Sequence, residues 1–135
     1  MLNKVFPATD DALDDITAYL EEKLEEYGAS MKTVMQLSVV LEEIFVNVAH
    51  YAYEGETGEV VFGLEFDEAD RTLTMQFTDG GKYFDPLKKS DPDITLSAEE
   101  RDIGGLGIFM VKKTMDSVEY EYRDQKNILT LKKVI

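Results

Sequence analysis

Apolar residues recur along this chain at two periods. Leu13, Ile16, Tyr19, Leu20, Leu24 and Tyr27 fall at helical spacing, which predicts an amphipathic helix over 10–27. Thr9-Asp10 stands as its N-cap and Gly28 as its stop. Ser30 caps a second helix that runs to about Tyr53. At about 100° per residue, Val34, Leu41, Phe45, Val48 and Ala52 form one stripe of it, and Glu43, Asn47 and His50 gather on the opposite side. Gly55 and Gly58 then break the chain. The period drops to two over Val60–Phe66 and Leu73–Thr78, a β-hairpin closed by the polar run Asp67 to Arg71. Leu2–Phe6 is a short edge strand. From Lys82 to Ile103 no period holds, and an irregular stretch of about twenty residues in a small domain reads as a lid or as disorder. Gly104-Gly105-Leu106-Gly107 opens a third helix, Ile108 to about Met115. Val118–Arg123 and Ile128–Ile135 are strands, with 124–127 as their turn. The order β-α-α-β-β-loop-α-β-β predicts an α+β two-layer sandwich, a mostly antiparallel sheet with three helices on one face.

Composition narrows the chemistry. The 135 residues make one domain, 1–135. There are no cysteines, which excludes disulfides, thiol catalysis and cysteine-zinc sites, and the single histidine cannot build a histidine metal cluster. Twenty-eight acidic against fourteen basic residues leave a net charge of −14. Such a surface disfavours nucleic acid and anionic lipid as partners. It fits a soluble cytoplasmic protein or one with a basic protein partner. No apolar run approaches the length of a membrane helix, and the first residues lack signal-peptide architecture.

Three local patterns carry candidate chemistry. In Glu43-x-x-x-Asn47 the spacing of four puts both side chains on one helix face. The carboxylate suits a general base, and the amide oxygen suits a hard cation such as Mg²⁺. In Asp79-x-Gly81 a carboxylate at a strand end is placed to accept a hydrogen bond from an exocyclic amine, with Gly81 giving clearance to a flat ring, and Phe84-Asp85-Pro86 follows. In Gly104-Gly105-Leu106-Gly107 glycines precede a helix, where backbone N–H groups converge on phosphate oxygens. Each alone is ambiguous: a solvated helix face, a plain turn and a structural glycine turn give the same letters.

Taken together and in this order, the sequence resembles the GHKL superfamily of ATPase domains, the Bergerat fold, whose signatures are an Asn-bearing helix, an Asp-x-Gly box, a lid and a second glycine box. Leu41-Glu42-Glu43-Ile44-Phe45-Val46-Asn47, Phe84-Asp85-Pro86 and the run from Gly104 to Val111 are most similar to the bacterial anti-sigma-factor serine/threonine-protein kinases. The resemblance implies that Asn47 holds Mg²⁺ on the phosphates of ATP and that Glu43 orients or deprotonates the attacking hydroxyl. It implies that Asp79 reads the adenine amine beside Gly81, and that Gly105, Leu106 and Gly107 donate backbone N–H groups to phosphate. Phe84 and Gly104 are counted with the nucleotide-contacting residues, residues 88–103 are the lid, and Arg101 reaches the γ-phosphate. The implied partners are a STAS-type anti-sigma-factor antagonist, which the kinase phosphorylates, and a sigma factor, with a homodimer as the assembly.

The sequence departs from that family at one place. Where the kinases carry His four residues after the box Asn, this chain has Tyr51, and His50 stands one residue earlier. Two readings of His50 follow: a hydrogen bond to phosphate or Glu43, or an imidazole satisfied at the pocket rim. Two readings of function follow as well, a protein kinase and a non-catalytic ATP/ADP-binding module that switches partners. Retention of Glu43 favours the kinase, since a pure binder needs only Asn47, Asp79 and the glycines.

Overall fold

A computed structural model describes residues 1–88 and 105–135. Five strands, β1 (Leu2–Pro7), β2 (Glu59–Asp67), β3 (Thr72–Asp79), β4 (Ser117–Arg123) and β5 (Lys126–Val134), form one sheet in the order β1-β2-β3-β5-β4, every pair antiparallel. The helices are α1 (Leu13–Glu26), α2 (Met31–Asn47) and α3 (Gly105–Thr114), with α2 packed against both of the others. This is the α+β sandwich the periods predict. Among the described residues no helix is long and apolar enough to cross a membrane.

The core follows from alternation. Phe62 and Leu64 on β2, Phe77 and Met75 on β3, and Leu129 and Leu131 on β5 are buried and lie opposite one another in register, with Leu73 buried further along β3. Ile16, Leu20 and Leu24 of α1 and Leu37, Leu41 and Phe45 of α2 close over them. Burying each such side chain stabilises the fold by about 1.5–3 kcal/mol. The predicted stripe on α2 is therefore real but too narrow, because Leu37, Val40 and Ile44 are buried as well.

Three local differences from the sequence reading, and one agreement at Ser30, matter later. Thr9 is extended but makes no side-chain cap, and a 3₁₀ turn over Asp10–Ala12 precedes α1. Ser30 does cap α2, accepting from the Thr33 N–H at 3.2 Å. Past Asn47 the helix widens into a π turn over Val48–Ala52, so the 100° spacing no longer places side chains there. The last hairpin turns through Asp124 and Gln125 alone, both at positive φ (54° and 62°), as a tight two-residue turn requires. Arg123 and Lys126 already pair, which draws Asn127 out of the turn and into β5.

Candidate functional site

Period two decides the polar end of the core. On β3, Asp79 continues the buried row Leu73-Met75-Phe77; on β5, Asn127 continues Leu129-Leu131. The register sets Asp79 opposite Asn127, so two polar side chains, each 7% exposed, terminate an apolar row side by side. Asp79 Oδ1 accepts from Asn127 Nδ2 at 3.0 Å and from the Gly81 N–H at 2.9 Å. Among the described residues the donors to Asp79 fall on Oδ1 and none on Oδ2. Burial pushes the Asp79 carboxyl above the usual carboxylate range, and these two hydrogen bonds pull part of the way back.

Asn127 is the residue that sequence reasoning missed. Its Nδ2 also donates to Lys82 O at 2.8 Å, and its Oδ1 accepts from the Phe84 N–H at 3.2 Å and from the Tyr120 hydroxyl. Burial, with Tyr83 adding to it, pushes that hydroxyl up to about 12, so at neutral pH it is a donor. One amide thus fastens Asp79 to the chain that carries Phe84-Asp85-Pro86. That chain is itself ordered, since Asp85 Oδ1 accepts from the Leu87 N–H at 2.9 Å above a 3₁₀ turn over Pro86–Lys88. The alternation Asn127-x-Leu129-x-Leu131 was the available signal. Asn127→Leu is expected to keep the strand but strip partners from the buried Asp79 carboxylate and from several part-buried polar groups. At about 1–3 kcal/mol for each group left unpaired, a loss of about 3 kcal/mol in urea-denaturation stability is the expected outcome.

The π turn docks on the same chain. Ala52 O accepts from the Lys82 N–H at 2.9 Å, and a Cβ at Gly81 would overlap the Ala52 carbonyl. Tyr53 braces the turn, donating to Glu59 O at 2.6 Å and accepting from the Gly80 N–H at 2.9 Å. The structure shows Gly81 making room for a neighbouring backbone. His50 leaves the expected cluster: its Nε2 lies 2.8 Å from Asp10 Oδ1, on the 3₁₀ turn before α1. The wider π turn accounts for this, because it rotates residues after Asn47 away from the face that helical spacing assigns them.

On α2 the i, i+4 pair is made, with Asn47 Nδ2 donating to Glu43 Oε1 at 3.2 Å. A Cβ at Gly107 would overlap the Glu43 carboxyl group, so the missing side chain on α3 is what admits that carboxylate between the helices. Gly105 and Gly107 lie inside the first turn of α3 rather than in a loop before it, with Leu106 between them. Gly104, Arg101 and the lid expected over 88–103 lie outside the described residues, save for Lys88 at the end of its 3₁₀ turn.

A pocket lined by Ile44, Val48, Phe77, Ile108 and Leu129 has Asn47, Asp79 and Asn127 among its polar groups, with Phe84 at its wall. Apolar walls with a few convergent polar groups suit a flat ligand held by its edge. Among the described residues no three acidic or histidine side chains gather to cage a metal. A single amide oxygen, Asn47 Oδ1, fits Mg²⁺, which keeps water and phosphate oxygens as its other ligands.

The model of the histidine kinase-like ATPase domain matches residues 6–133. The chain is 27% identical over 110 residues to the serine-protein kinase RsbW of Listeria monocytogenes, covering 78% of this chain and 69% of that protein. It is 25% identical over 111 residues to the serine-protein kinase RsbW of Bacillus cereus, covering 78% of this chain and 67% of that protein.

Proposed function

The chain belongs to the histidine kinase-like ATPase domain family, and from that premise we propose that it is an ATP-dependent protein kinase and anti-sigma factor. Its acceptor is a serine or threonine hydroxyl on a STAS-type anti-sigma-factor antagonist. Unmodified antagonist sequesters the kinase, and phosphorylation releases it to bind a sigma factor. The observation that carries this reading is the Glu43–Asn47 hydrogen bond beside Gly107, since it holds a carboxylate and an amide oxygen together at the first turn of α3. Similarity to serine-protein kinases adds support.

In this reading Asp79 Oδ2 accepts from the adenine amine and the apolar pocket encloses the ring. Asn47 Oδ1 and the N–H groups opening α3 meet the phosphates. Mg²⁺, when bound, supplies charge that stabilises the leaving phosphate. Glu43 accepts a hydrogen bond from the acceptor hydroxyl and aligns it on the γ-phosphorus. A bond forms from the hydroxyl oxygen to that phosphorus, the bond to the β,γ-bridging oxygen breaks, and ADP leaves. The hydroxyl proton passes to Glu43 and then to water.

The test incubates the purified chain and Mg²⁺ with labelled ATP and each STAS-domain protein encoded in the same genome, followed by phosphosite mapping. Transfer to a serine or threonine of one of them is expected. Binding of ATP and of such a partner without transfer would instead establish the partner-switching module.

Two glycine variants separate structure from chemistry. Gly81→Ala presses on backbone, and overpacking of that kind costs about 1–3 kcal/mol. Gly107→Ala presses on the end of a flexible side chain, so the Glu43 carboxylate moves instead. Thermal melts are expected to fall for Gly81→Ala and to stay close to wild type for Gly107→Ala. Phosphoryl transfer by Gly107→Ala is expected to fall on the order of 10²-fold, as a misplacement of about 1 Å does elsewhere.

A further inference from the structure

We propose that the groove between α2 and α3 is where the protein substrate docks, and that its occupant is a chain segment carrying the acceptor hydroxyl among apolar and basic residues. This rests on the kinase reading above and assigns the second substrate its own route to the site.

The argument starts from the two sides of one hydrogen bond. Asn47 lines the apolar pocket with Asp79, whereas Glu43 lines a different space, a groove of about 640 Å³ that also contains Gly107. The Asn47–Glu43 bond of 3.2 Å therefore spans the boundary between them. A nucleotide in the pocket and a hydroxyl in the groove meet at that bond, and neither has to pass the other.

The groove is built for a polypeptide. Its wall includes Val39, Val46 and Met110, and Val39 and Met110 are 64% and 51% exposed. Met31 and Met35, two turns and one turn before Val39 along α2, are exposed too, at 77% and 64%. So many large apolar side chains in one place mark a contact surface, and methionine suits one that must mould to its partner. Charge then selects the partner. The groove holds Glu42 and Glu43 and no lysine or arginine among its described residues, on a chain of net charge −14. A second copy packed symmetrically would bring its own Glu42 and Glu43 toward these, and an anionic lipid surface would be repelled. A segment with basic residues beside its serine or threonine is complementary.

The test measures steady-state phosphorylation of the STAS-domain protein that the wild type modifies. Val39→Lys and Met110→Lys change exposed residues, so the fold and the affinity for ATP, followed by calorimetry, are expected to stay within about twofold of wild type. KM for the protein substrate is expected to rise at least about tenfold in each. Val39→Leu keeps the surface apolar and is expected to leave KM within about twofold. Val5→Lys, at a 52% exposed residue of the edge strand β1, is the distant control and is expected to change nothing. Unchanged KM in Val39→Lys and Met110→Lys, or an equal rise in Val5→Lys, overturns the groove assignment while leaving the kinase reading intact. If the wild type modifies no STAS-domain protein, the kinase reading falls and this inference falls with it.

Discussion

Glu43→Gln is expected to keep its affinity for ATP within about tenfold, a ceiling of ~1.4 kcal/mol, and yet to lose most of its phosphoryl transfer. The substitution is nearly isosteric. The Gln carbonyl oxygen still accepts from Asn47 Nδ2, and its planar end group still occupies the space that Gly107 leaves open. What disappears is the charge and basicity proposed above to align and deprotonate the hydroxyl. General-base losses run on the order of 10²–10⁴-fold, which is about 3–5 kcal/mol of barrier. Asn47→Ala divides the effects the other way. It removes Oδ1, so the Mg²⁺-dependent part of ATP binding is expected to vanish, and it also releases the Glu43 carboxylate from its hydrogen bond. Calorimetry with and without Mg²⁺, beside a transfer assay on the STAS-domain substrate, reads both. Equal transfer by wild type and Glu43→Gln would show that the carboxylate is not the base.

The parts of this site that depend on one element were legible from sequence, and the parts that depend on two were not. Glu43 and Asn47 meet because both lie within regular helix, where spacing of four fixes proximity without reference to anything else. His50 lies three residues further on, inside a π turn that nothing in the local sequence announces, and it pairs with Asp10 across the fold. Asp79 was visible as a carboxylate before a glycine pair. Its partner Asn127 was hidden because four polar residues in a row, Asp124 to Asn127, read as turn, while the strand register leaves only two of them there. Asp124 and Gln125 adopt positive φ without a glycine, so the usual composition cue was missing. The glycines also have a structural reason that the sequence alone does not show. Gly81 yields to the Ala52 carbonyl and Gly107 to the Glu43 carboxylate, and both are contacts between segments distant in sequence.

That dependence on a second element makes Asp79→Asn the sharpest test of the adenine end. Among the described residues both hydrogen bonds to Asp79 fall on Oδ1, and an amide oxygen placed there accepts them equally well from Asn127 and Gly81. Oδ2 becomes an NH₂ donor, facing the donor amine of adenine. Loss of a hydrogen bond to a charged group costs about 1.5–3 kcal/mol, so ATP affinity is expected to fall about 10- to 150-fold. The oxygen of guanine at the equivalent position accepts from the new amide, so the preference for ATP over GTP is expected to fall at least as far. Stability moves in the opposite direction. Burial holds the Asp79 carboxyl above its ordinary range, partly offset by Asn127 and Gly81, so the folded protein binds this proton more tightly than the unfolded chain does. From the ordinary aspartate pKa up to the raised one, the wild type therefore loses stability from this group as pH rises, whereas the amide does not titrate. Asp79→Asn is expected to gain on the wild type across that window and to hold a constant margin above it. Urea denaturation at several pH values reads the margin, and calorimetry with ATP and GTP reads the discrimination. Equal affinity of the wild type for the two nucleotides would remove Asp79 from the adenine site, whatever the stability data show.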